Sequence, residues 1–428
     1  MTATPLTGRA RPDRSPHSFA EWQRLGGYEA LRRALKELSP DDLVTLVEAS
    51  GLRGRGGAGF LTGTKWKLMR KAAVAAGEGP RYLCVNGDEM EPGSFKDRML
   101  LEALPHQLLE GAMLAAYAIG ASEVILLVRD AYRAGAAALN RAIVEIESAG
   151  LLGSNILGSG FSLTMRVHGS AGRYIVGEET ALISAIEGDR PVPRARPPYP
   201  AQSGLWGRPT IVNNVETLSC VPLIVQHGAD WFRGLSRTEE GGTKLYGVSG
   251  RVNRPMLIEA PMGTTARELI ERCGGIRDGR RLRAFQPGGG ATAFLEEAEL
   301  DVPMDFGHLK KAGSALGTGA LIVLDETSCP VASIARHARF YARESCGLCT
   351  PCRDGLPWVS KLLDQLEAGQ GNAATLELLQ MHVDLASPSG RSFCDLMTGA
   401  MTPVRSGLER FADVFAAHLA GHCPVGRA

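Results

Sequence analysis

The sequence predicts an α/β protein in three parts: a parallel-sheet domain, a small α+β module and a C-terminal helical bundle. Three patterns lead to this prediction. Strand and helix patterns alternate between residues 82 and 187. Short strands and one helix share residues 242–325, and only helical patterns follow from Ser328 to Leu419.

The elements of the first part follow from local signals. Ser39 before Pro40 and two acidic residues is typical of a helix start. Further helices are expected at residues 65–76, 105–120, 131–149 and 179–187, and strands at 82–85, 124–128 and 161–167. In parallel sheets ligands sit at the carboxyl ends of strands, where this chain places Asn, Asp and Glu.

The Pro- and Arg-rich stretch at residues 189–210 is predicted to be a long ordered loop or a linker. In the second part we expect strands at 245–250 and 320–325 and a helix at 264–273. The bundle should carry its cysteine run on a connection between two helices.

Composition excludes several classes. The chain has 428 residues, enough for two to four domains. Its net charge of +1 gives no indication of a surface that binds nucleic acid or membranes. No apolar run reaches the roughly 18 residues of a membrane span. The first 19 residues lack the apolar core of a secretory signal, and we interpret them as a loose arm.

Nine cysteines, an odd number, favour metal binding or catalysis in a reducing setting over disulfides. Cys346, Cys349 and Cys352 have the CxxCxxC spacing that places three thiolates on one [4Fe–4S] cluster. The fourth ligand stays open among Cys394, Cys329 and Cys423. Structural zinc is the alternative, which the lack of a second CxxC pair disfavours. The remaining cysteines are expected in the core: Cys84, Cys220 and Cys273.

A glycine-rich loop, GRGGAGFLTG, occupies residues 54–63. Its GxGxxG pattern follows a helical pattern rather than a strand, so it is not a standard Rossmann fingerprint. Its glycines would let backbone N–H groups approach a ligand closely, with Arg55 and Lys65 supplying positive charge near phosphates. A flexible tight turn is the alternative.

Two polar segments also allow more than one interpretation. The loop NGDEMEPG at 86–93 suits a polar wall for a ring or ribose, a divalent metal site, or a solvated turn. Glu178 and Glu179, like Asn213 and Asn214, suit either ligand binding or helix capping.

Together the motifs resemble one family, the NADH-binding flavoprotein subunits of respiratory complex I. The resemblance covers about residues 24–419 and rests on these segments: GLRGRGGAGFLTGTKW (51–66), NGDEMEPGSFKDR (86–98), GRYIVGEETALISAIEG (172–188), RPPYPAQSGLWGRPTIVNNVET (196–217), ESCGLCTPCRDG (344–355) and RSFCDLMTGAMTP (391–403). The diaphorase subunits of NAD-linked hydrogenases and formate dehydrogenases are relatives of this family.

The resemblance implies hydride transfer from NADH to bound FMN, then single electrons to a [4Fe–4S] cluster and through partner subunits to quinone. Glu91 and Glu179 would shape the polarity around the nicotinamide and disfavour NADPH. The implied cofactor-binding residues are Gly54, Arg55, Gly56, Gly57, Gly59, Phe60, Gly63, Lys65, Asn86, Asp88, Glu91, Tyr174, Gly177, Glu178, Glu179, Arg196, Tyr199, Asn213, Asn214 and Thr217. The implied cluster ligands are Cys346, Cys349, Cys352 and Cys394.

The family also implies an architecture and a setting. It has an arm with the glycine loop (1–70), a Rossmann-like FMN/NADH domain (71–235), a small α+β domain of β-grasp, soluble-ligand-binding-like type (236–327) and a cluster-bearing bundle (328–428). Its partners would be hydrophilic-arm subunits, including a small thioredoxin-like [2Fe–2S] subunit and a large iron–sulfur subunit, without nucleic acid or direct membrane insertion. The location would be cytoplasmic, on the inner face of the cell membrane.

Three positions depart from the family pattern: Gly87, Leu61 and Leu68 stand for an alanine, a proline and an aromatic residue. These changes bear on NADH affinity. The alternative function is the diaphorase subunit of a soluble NAD-linked hydrogenase or formate dehydrogenase. Many of those carry a cysteine-bearing N-terminal domain, and only about 50 residues without cysteine precede this glycine loop, which favours complex I.

Overall fold

The structure, a computed structural model, describes residues 4–75 and 77–426, which form two compact units. The first unit comprises the residues up to Met90, then Phe95–Leu245 and Glu259–Gly263. The second comprises Glu91–Ser94, Tyr246–Ile258 and the residues from Thr264 onward.

The first unit is built on a parallel sheet, as the sequence predicts. Its strands are β1 (Tyr82–Gly87), β2 (Glu123–Arg129), β3 (Thr164–Ser170) and β4 (Thr210–Asn214), in the order β3-β2-β1-β4. Asn86 on β1 pairs with Asn214 on β4, at the carboxyl end of both strands. The predicted polar side chains therefore meet at one edge of the sheet.

Helices flank this sheet, and the first of them form the segment that precedes β1. They are α1 (Phe19–Arg24), α2 (Glu29–Glu37), α3 (Pro40–Ala49), α4 (Thr62–Ala75), α5 (Lys96–Ala103), α6 (Pro105–Ile119), α7 (Arg133–Ser148), α8 (Glu179–Ile186), α9 (Val215–His227) and α10 (Ala229–Gly234). The capping box of Ser39 and Asp42 begins α3, as its sequence indicates. Ala76, the predicted end of α4, lies outside the described residues.

The prediction of a loose N-terminal arm was wrong for the described residues. Leu6 is fully buried, and the backbone N–H groups of Leu6 and Thr7 donate to the Glu259 carboxylate at 3.0 and 2.7 Å. Trp22 is buried as well. One apolar anchor and one distant carboxylate hold this segment, and neither stands out in a polar, Arg- and Pro-rich sequence.

The long Pro-rich stretch lies within the first unit between α8 and β4, so it is an ordered loop rather than a linker. Trp206 packs its ring against Tyr82 at 5.0 Å, and its backbone N–H donates to Glu187 at 2.6 Å. Arg194 pairs with the same carboxylate. These contacts attach the loop to β1 and to the end of α8.

The second unit contains a mixed sheet of order β6-β5-β8-β7, consistent with the predicted α+β module. Its strands are β5 (Thr243–Gly250), β6 (Met256–Pro261), β7 (Leu282–Gln286) and β8 (Ala320–Asp325), with helices α11 (Ala266–Arg272) and α12 (Phe306–Lys311). Thr243–Leu245 and Glu259–Pro261 are counted with the first unit. Neither β7 nor α12 was predicted, because each is short and interrupted by charged residues.

The helical bundle also forms as predicted. Its helices are α13 (Pro330–Glu344), α14 (Leu356–Glu367), α15 (Ala373–Ala386), α16 (Leu396–Arg410) and α17 (Ala412–Leu419). The cysteine run lies between α13 and α14 and ends in a π-helical turn, Pro351–Gly355. Among the described residues, no helix combines the length and apolar character that a membrane span requires.

Candidate functional site

The glycine loop connects α3 to α4 and is closed at its base. Arg53 and Leu61 form an antiparallel bridge, the Gly54 N–H donates to the Phe60 carbonyl at 2.8 Å, and the Thr62 N–H donates to the Leu52 carbonyl at 2.9 Å. The preceding element is helix α3, which confirms that the loop is not a standard Rossmann turn.

The backbone at Gly56 and Gly57 differs in how closely other atoms approach it. A Cβ added to Gly56 would lie 3.1 Å from Asn214 Cβ, whereas one added to Gly57 would meet no atom within 4 Å. The loop thus approaches the start of α9 at Gly56 and presents open backbone at Gly57. Gly63 has a packing role instead, since a Cβ there would lie 2.4 Å from the Glu48 backbone.

Arg55 is fully buried, contrary to the expectation of a phosphate-facing charge. Its guanidinium donates to the carbonyls of Gly241 and Thr243 at 2.7 and 3.2 Å, and its backbone N–H donates to Thr217 Oγ1 at 2.8 Å. Arg55 and Thr217 therefore fasten the loop to α9 and β5. Both side chains are buried, so they contribute to the site by holding the loop in place.

The carboxyl ends of β1 and β4 carry a polar network. Asn86 Nδ2 donates to the Gly177 carbonyl at 3.3 Å, and the Asp88 carboxylate accepts from Ser170 Oγ at 2.6 Å. Asn213 Oδ1 accepts from Trp66 Nε1 at 3.0 Å. These bonds fix the side chains at the ends of the strands, so this edge is preorganised.

A chain of ion pairs runs beside this edge. Lys65 Nζ lies 2.9 Å from Glu179 Oε2, and Arg196 lies 2.6 Å from Glu178 Oε1 and 3.1 Å from Glu179 Oε1. Burial acts to raise the pKa of Glu179, but Lys65 and Arg196 outweigh it and hold that pKa below its usual value. Glu179 is thus kept ionised, with two cations next to it.

Glu178 also caps α8, as the capping interpretation allowed. Its Oε2 accepts from the Thr180 and Ala181 N–H groups at 2.9 and 2.8 Å. Tyr174 and Gly177 bound the short 3₁₀ turn before it. A Cβ added to Gly177 would meet no atom within 4 Å, so backbone is accessible here too.

Aromatic and apolar side chains project from the same unit. Phe60 is 52% exposed, Tyr199 54% and Leu68 53%. The Arg196 guanidinium lies 6.0 Å from the Tyr199 ring centroid. Exposed rings of this size are suited to stacking on a planar ligand.

Sequence reasoning did not single out a buried charge network behind this edge. Lys96 Nζ lies 2.7 Å from Asp97 and 3.0 Å from Glu216, and Lys244 Nζ lies 2.7 Å from Glu216. Lys96 Nζ and Asp97 also bond the Asn214 side chain at 3.2 and 2.7 Å. The only sequence signal for this network was the presence of Lys96 and Lys244 in the KDR and TKLYG segments. That both lysines are buried becomes evident only in the fold.

The pKa values of this network follow from burial and pairing. Burial acts to raise the pKa of Glu216, but Lys244 and Lys96 overcome it and lower that pKa to about 2. Burial lowers the pKa of Lys244 to about 8 although Glu216 opposes the change. Burial raises the pKa of Asp97 to about 6 against the effect of Lys96.

Glu91, predicted near the nicotinamide, is counted with the second unit. There its Oε1 accepts from the Ala291 N–H at 2.8 Å and lies 3.4 Å from the Tyr341 hydroxyl. A Cβ added to Gly289 would lie 2.6 Å from Glu91 Cγ, so this glycine makes room for the side chain.

The four predicted cluster cysteines also belong to the second unit. Cys352 is buried, and burial raises its pKa to about 12, with further increases from Cys349, Cys394 and Cys346. Cys394 is therefore the candidate fourth ligand that lies within electrostatic range of the run. Cys329, another candidate, instead lies near Cys423. The remaining cysteines are buried, as predicted: Cys84, Cys220 and Cys273.

Three family models match the chain. They are the Nuo51 FMN-binding domain at residues 47–223, the SLBB domain at 245–293 and the NADH-ubiquinone oxidoreductase-F iron–sulfur binding region at 332–418. The glycine loop and the carboxyl ends of β1 and β4 lie in the first match, and the CxxCxxC run lies in the third.

Similar proteins agree with these models. The NADH-quinone oxidoreductase F subunit of Salmonella typhimurium is 50% identical over 96% of this chain and 92% of its own length. The corresponding F subunit of Mycobacterium tuberculosis is 47% identical over 98% and 95%. A crystal structure of an NAD⁺-reducing [NiFe]-hydrogenase in the H₂-reduced state matches with TM-score 0.82 and 35% identity, covering 96% of this chain and 68% of that chain. With 47–50% identity to these F subunits over nearly its full length, the chain belongs to the family of NADH-quinone oxidoreductase F subunits.

Proposed function

We propose that the chain oxidises NADH with FMN bound in its first unit and delivers electrons to a [4Fe–4S] cluster in its second unit. The observation that carries the proposal is the glycine loop at the carboxyl ends of β1 and β4, beside the Lys65–Glu179–Arg196 ion pairs. When bound, FMN supplies the conversion of two-electron chemistry into one-electron steps, and the cluster supplies a one-electron carrier.

The residues present fit a phosphate-bearing flavin. Gly57 and Gly177 leave space that a Cβ would fill, so ligand atoms can approach the backbone closely. Lys65 and Arg196 supply positive charge for a phosphate or a dinucleotide. We assign Phe60 and Tyr199 to stacking on the adenine, because both rings are about half exposed.

The remaining polar residues would orient rather than react. Asn86, Asp88 and Asn213 are fixed by hydrogen bonds and would hold the rim of the flavin site. Glu179 stays ionised, so it would repel the additional phosphate of NADPH. We assign Glu91 to the same discrimination, with its carboxylate held by the Ala291 N–H.

Gly54, Gly59 and Tyr174 would complete the backbone and ring surface around the flavin. Thr217 and Arg55 act as positioning residues, because they hold the loop from behind. Asn214 and Glu178 cap α9 and α8 and would orient the N–H groups at those helix starts.

For the metal we assign Cys346, Cys349, Cys352 and Cys394 as the four ligands. Four thiolates suit an iron–sulfur cubane, and the buried position of Cys352 limits solvent access. Each thiol must lose its proton on binding, so the raised pKa of Cys352 is offset by the iron.

The relatives are named as subunits, which places this family in multi-subunit assemblies. We infer that this chain joins hydrophilic-arm subunits of complex I on the inner face of the membrane. Its partners would include a small thioredoxin-like [2Fe–2S] subunit and a large iron–sulfur subunit, with quinone as the final acceptor. The domain division 1–70, 71–235, 236–327 and 328–428, with a β-grasp third domain, is part of the same proposal.

Separate variants test the two cofactor sites. Cys349→Ala should lose the iron while FMN stays bound, and Cys273→Ala, a buried cysteine outside the run, should keep both. Glu179→Gln should raise the KM for NADH and narrow the preference over NADPH without loss of iron. Loss of flavin in Cys349→Ala, or unchanged kinetics in Glu179→Gln, would contradict these assignments.

The second candidate is the diaphorase subunit of an NAD-linked hydrogenase, which the hydrogenase structures favour. The higher identity to the NADH-quinone oxidoreductase relatives, 47–50% against 35–36%, favours complex I. Affinity purification from the native cell followed by mass spectrometry distinguishes them. Co-purifying quinone-reductase subunits support the first assignment, and a nickel-containing subunit supports the second.

A further inference from the structure

A second group of potential metal-binding side chains lies in the second unit, apart from the cysteine run. Cys329, His418 and Cys423 each offer a ligand atom, and these atoms lie within 4.8 Å of one another. Cys329 Sγ lies 3.2 Å from His418 Nε2. Two sulfurs and one imidazole nitrogen at such distances match the donor types and spacing of a zinc site.

The orientation of His418 supports metal binding. Its Nδ1 lies 3.0 Å from the Leu366 carbonyl, which can only accept, so Nδ1 carries the proton. The lone pair is then on Nε2, which points toward the thiol of Cys329. A backbone carbonyl that fixes the tautomer in this way is the usual outer contact of a metal-bound histidine.

The surroundings have room for a fourth ligand. The same three residues line a cleft of about 810 Å³, so water can complete a tetrahedral coordination. Arg251 and Arg336 also line this cleft and would offset the charge of two thiolates.

We propose that Cys329, His418 and Cys423 bind one zinc ion, which fastens the segment after α17 to the start of α13. A disulfide between Cys329 and Cys423 would account less well for the position of His418. It would consume the Cys329 thiol that lies beside the buried Nε2 of His418. The soft S₂N donor set selects zinc over magnesium or calcium. This proposal does not depend on the flavin or the [4Fe–4S] assignments.

Metal analysis of the full-length chain, purified anaerobically with its cofactors, tests the proposal. We expect about one zinc per chain in addition to the iron. X-ray absorption at the zinc edge should give sulfur neighbours at about 2.3 Å and a nitrogen neighbour at about 2.0–2.1 Å. Protein without zinc even after equilibration with zinc salt would overturn the proposal.

Variants locate the ion. His418→Gln and Cys423→Ser should lose the zinc and keep the iron, whereas His422→Gln, next to Cys423 but exposed, should keep both. Zinc retained by both ligand variants would overturn the proposal, because the ion would then sit elsewhere.

Thiol labelling of the wild type gives a test that needs no variant. Removal of zinc by a chelator should make Cys329 and Cys423 newly reactive to an alkylating reagent. A Cys329–Cys423 disulfide in peptides mapped without reductant, or equal labelling before and after chelation, would refute zinc binding.

Discussion

Glu216 offers a quantitative test of the charge network behind the candidate flavin site. Its fully buried carboxylate is shared by Lys96 at 3.0 Å and Lys244 at 2.7 Å. Glu216→Gln would leave two buried ammonium groups without that carboxylate. Lys244→Met would remove one ammonium group and leave the Glu216–Lys96 pair intact.

The two variants should therefore differ in cost. The pKa of Glu216 falls from its usual 4.5 to about 2, which corresponds to about 3 kcal/mol in favour of the ionised, folded form. Leaving Lys244 buried without the Glu216 carboxylate costs about 3–5 kcal/mol, whereas Lys96 keeps its pair with Asp97, so Glu216→Gln should lose about that much. Lys244→Met should lose at most about 1 kcal/mol, the net value of a buried hydrogen bond, because burial already disfavours the Lys244 cation and lowers its pKa to about 8.

Hydrogen exchange of the backbone amides in β1 and β4 measures this loss of stability close to the charge network. A loss of about 3 kcal/mol should speed exchange by about two orders of magnitude in Glu216→Gln, against less than tenfold in Lys244→Met. The contribution of Glu216 is full above pH 4.5 and is lost as the pH falls toward 2, so the wild type and Glu216→Gln should converge in acid. An equal or reversed order of the two variants at neutral pH would refute the shared-carboxylate reasoning.

Three further predictions concern other parts of the first unit. Lys65→Met should raise the pKa of Glu179, because burial is then opposed by fewer cations, so the acid limb of NADH oxidation should move to higher pH; an unmoved limb would exclude this pairing. Gly177→Ala should weaken FMN binding, measured by flavin fluorescence, without lowering the melting temperature of the FMN-free protein, because its Cβ meets no protein atom. Gly234→Ala is the control: a Cβ at Gly234 also meets no atom within 4 Å, but Gly234 lies at the end of α10, so this variant should bind FMN normally. Burial raises the pKa of Glu110 from its usual 4.5 to about 7, so Glu110 should lower the free energy of unfolding progressively as the pH rises between those values. In urea unfolding, Glu110→Gln should therefore make stability depend less on pH over this range.

The sequence predicted the elements whose signals are local. Strand β2 is a continuous apolar run and was predicted close to its true bounds, and the start of helix α3 was predicted from Ser39 and Pro40. The order of alternating elements was enough to predict a parallel sheet, because strands joined by helices can pair in that way. The polar end of β1 followed from this order, whereas strand β4, which brings Asn214 beside Asn86, was not predicted.

What the sequence could not show depends on burial and on partners distant in the chain. Arg55 looks like a phosphate ligand within a glycine loop, yet it is buried against carbonyls 186 and 188 residues away. Lys96 and Glu216 come together only when α5 and α9 fold beside the sheet. A charged residue gives no local sign of whether it faces water, so these roles required the structure.

An NADH titration of the anaerobically purified full-length chain shows directly whether NADH reduces a flavin and a cluster in this protein. Acid-extracted flavin and iron are quantified first, and the visible spectrum is recorded as NADH is added. We expect about one FMN and four iron atoms per chain, with both chromophores bleached by NADH. Protein that binds zinc but no flavin, or flavin that NADH does not reduce, would exclude NADH oxidation through FMN and a [4Fe–4S] cluster.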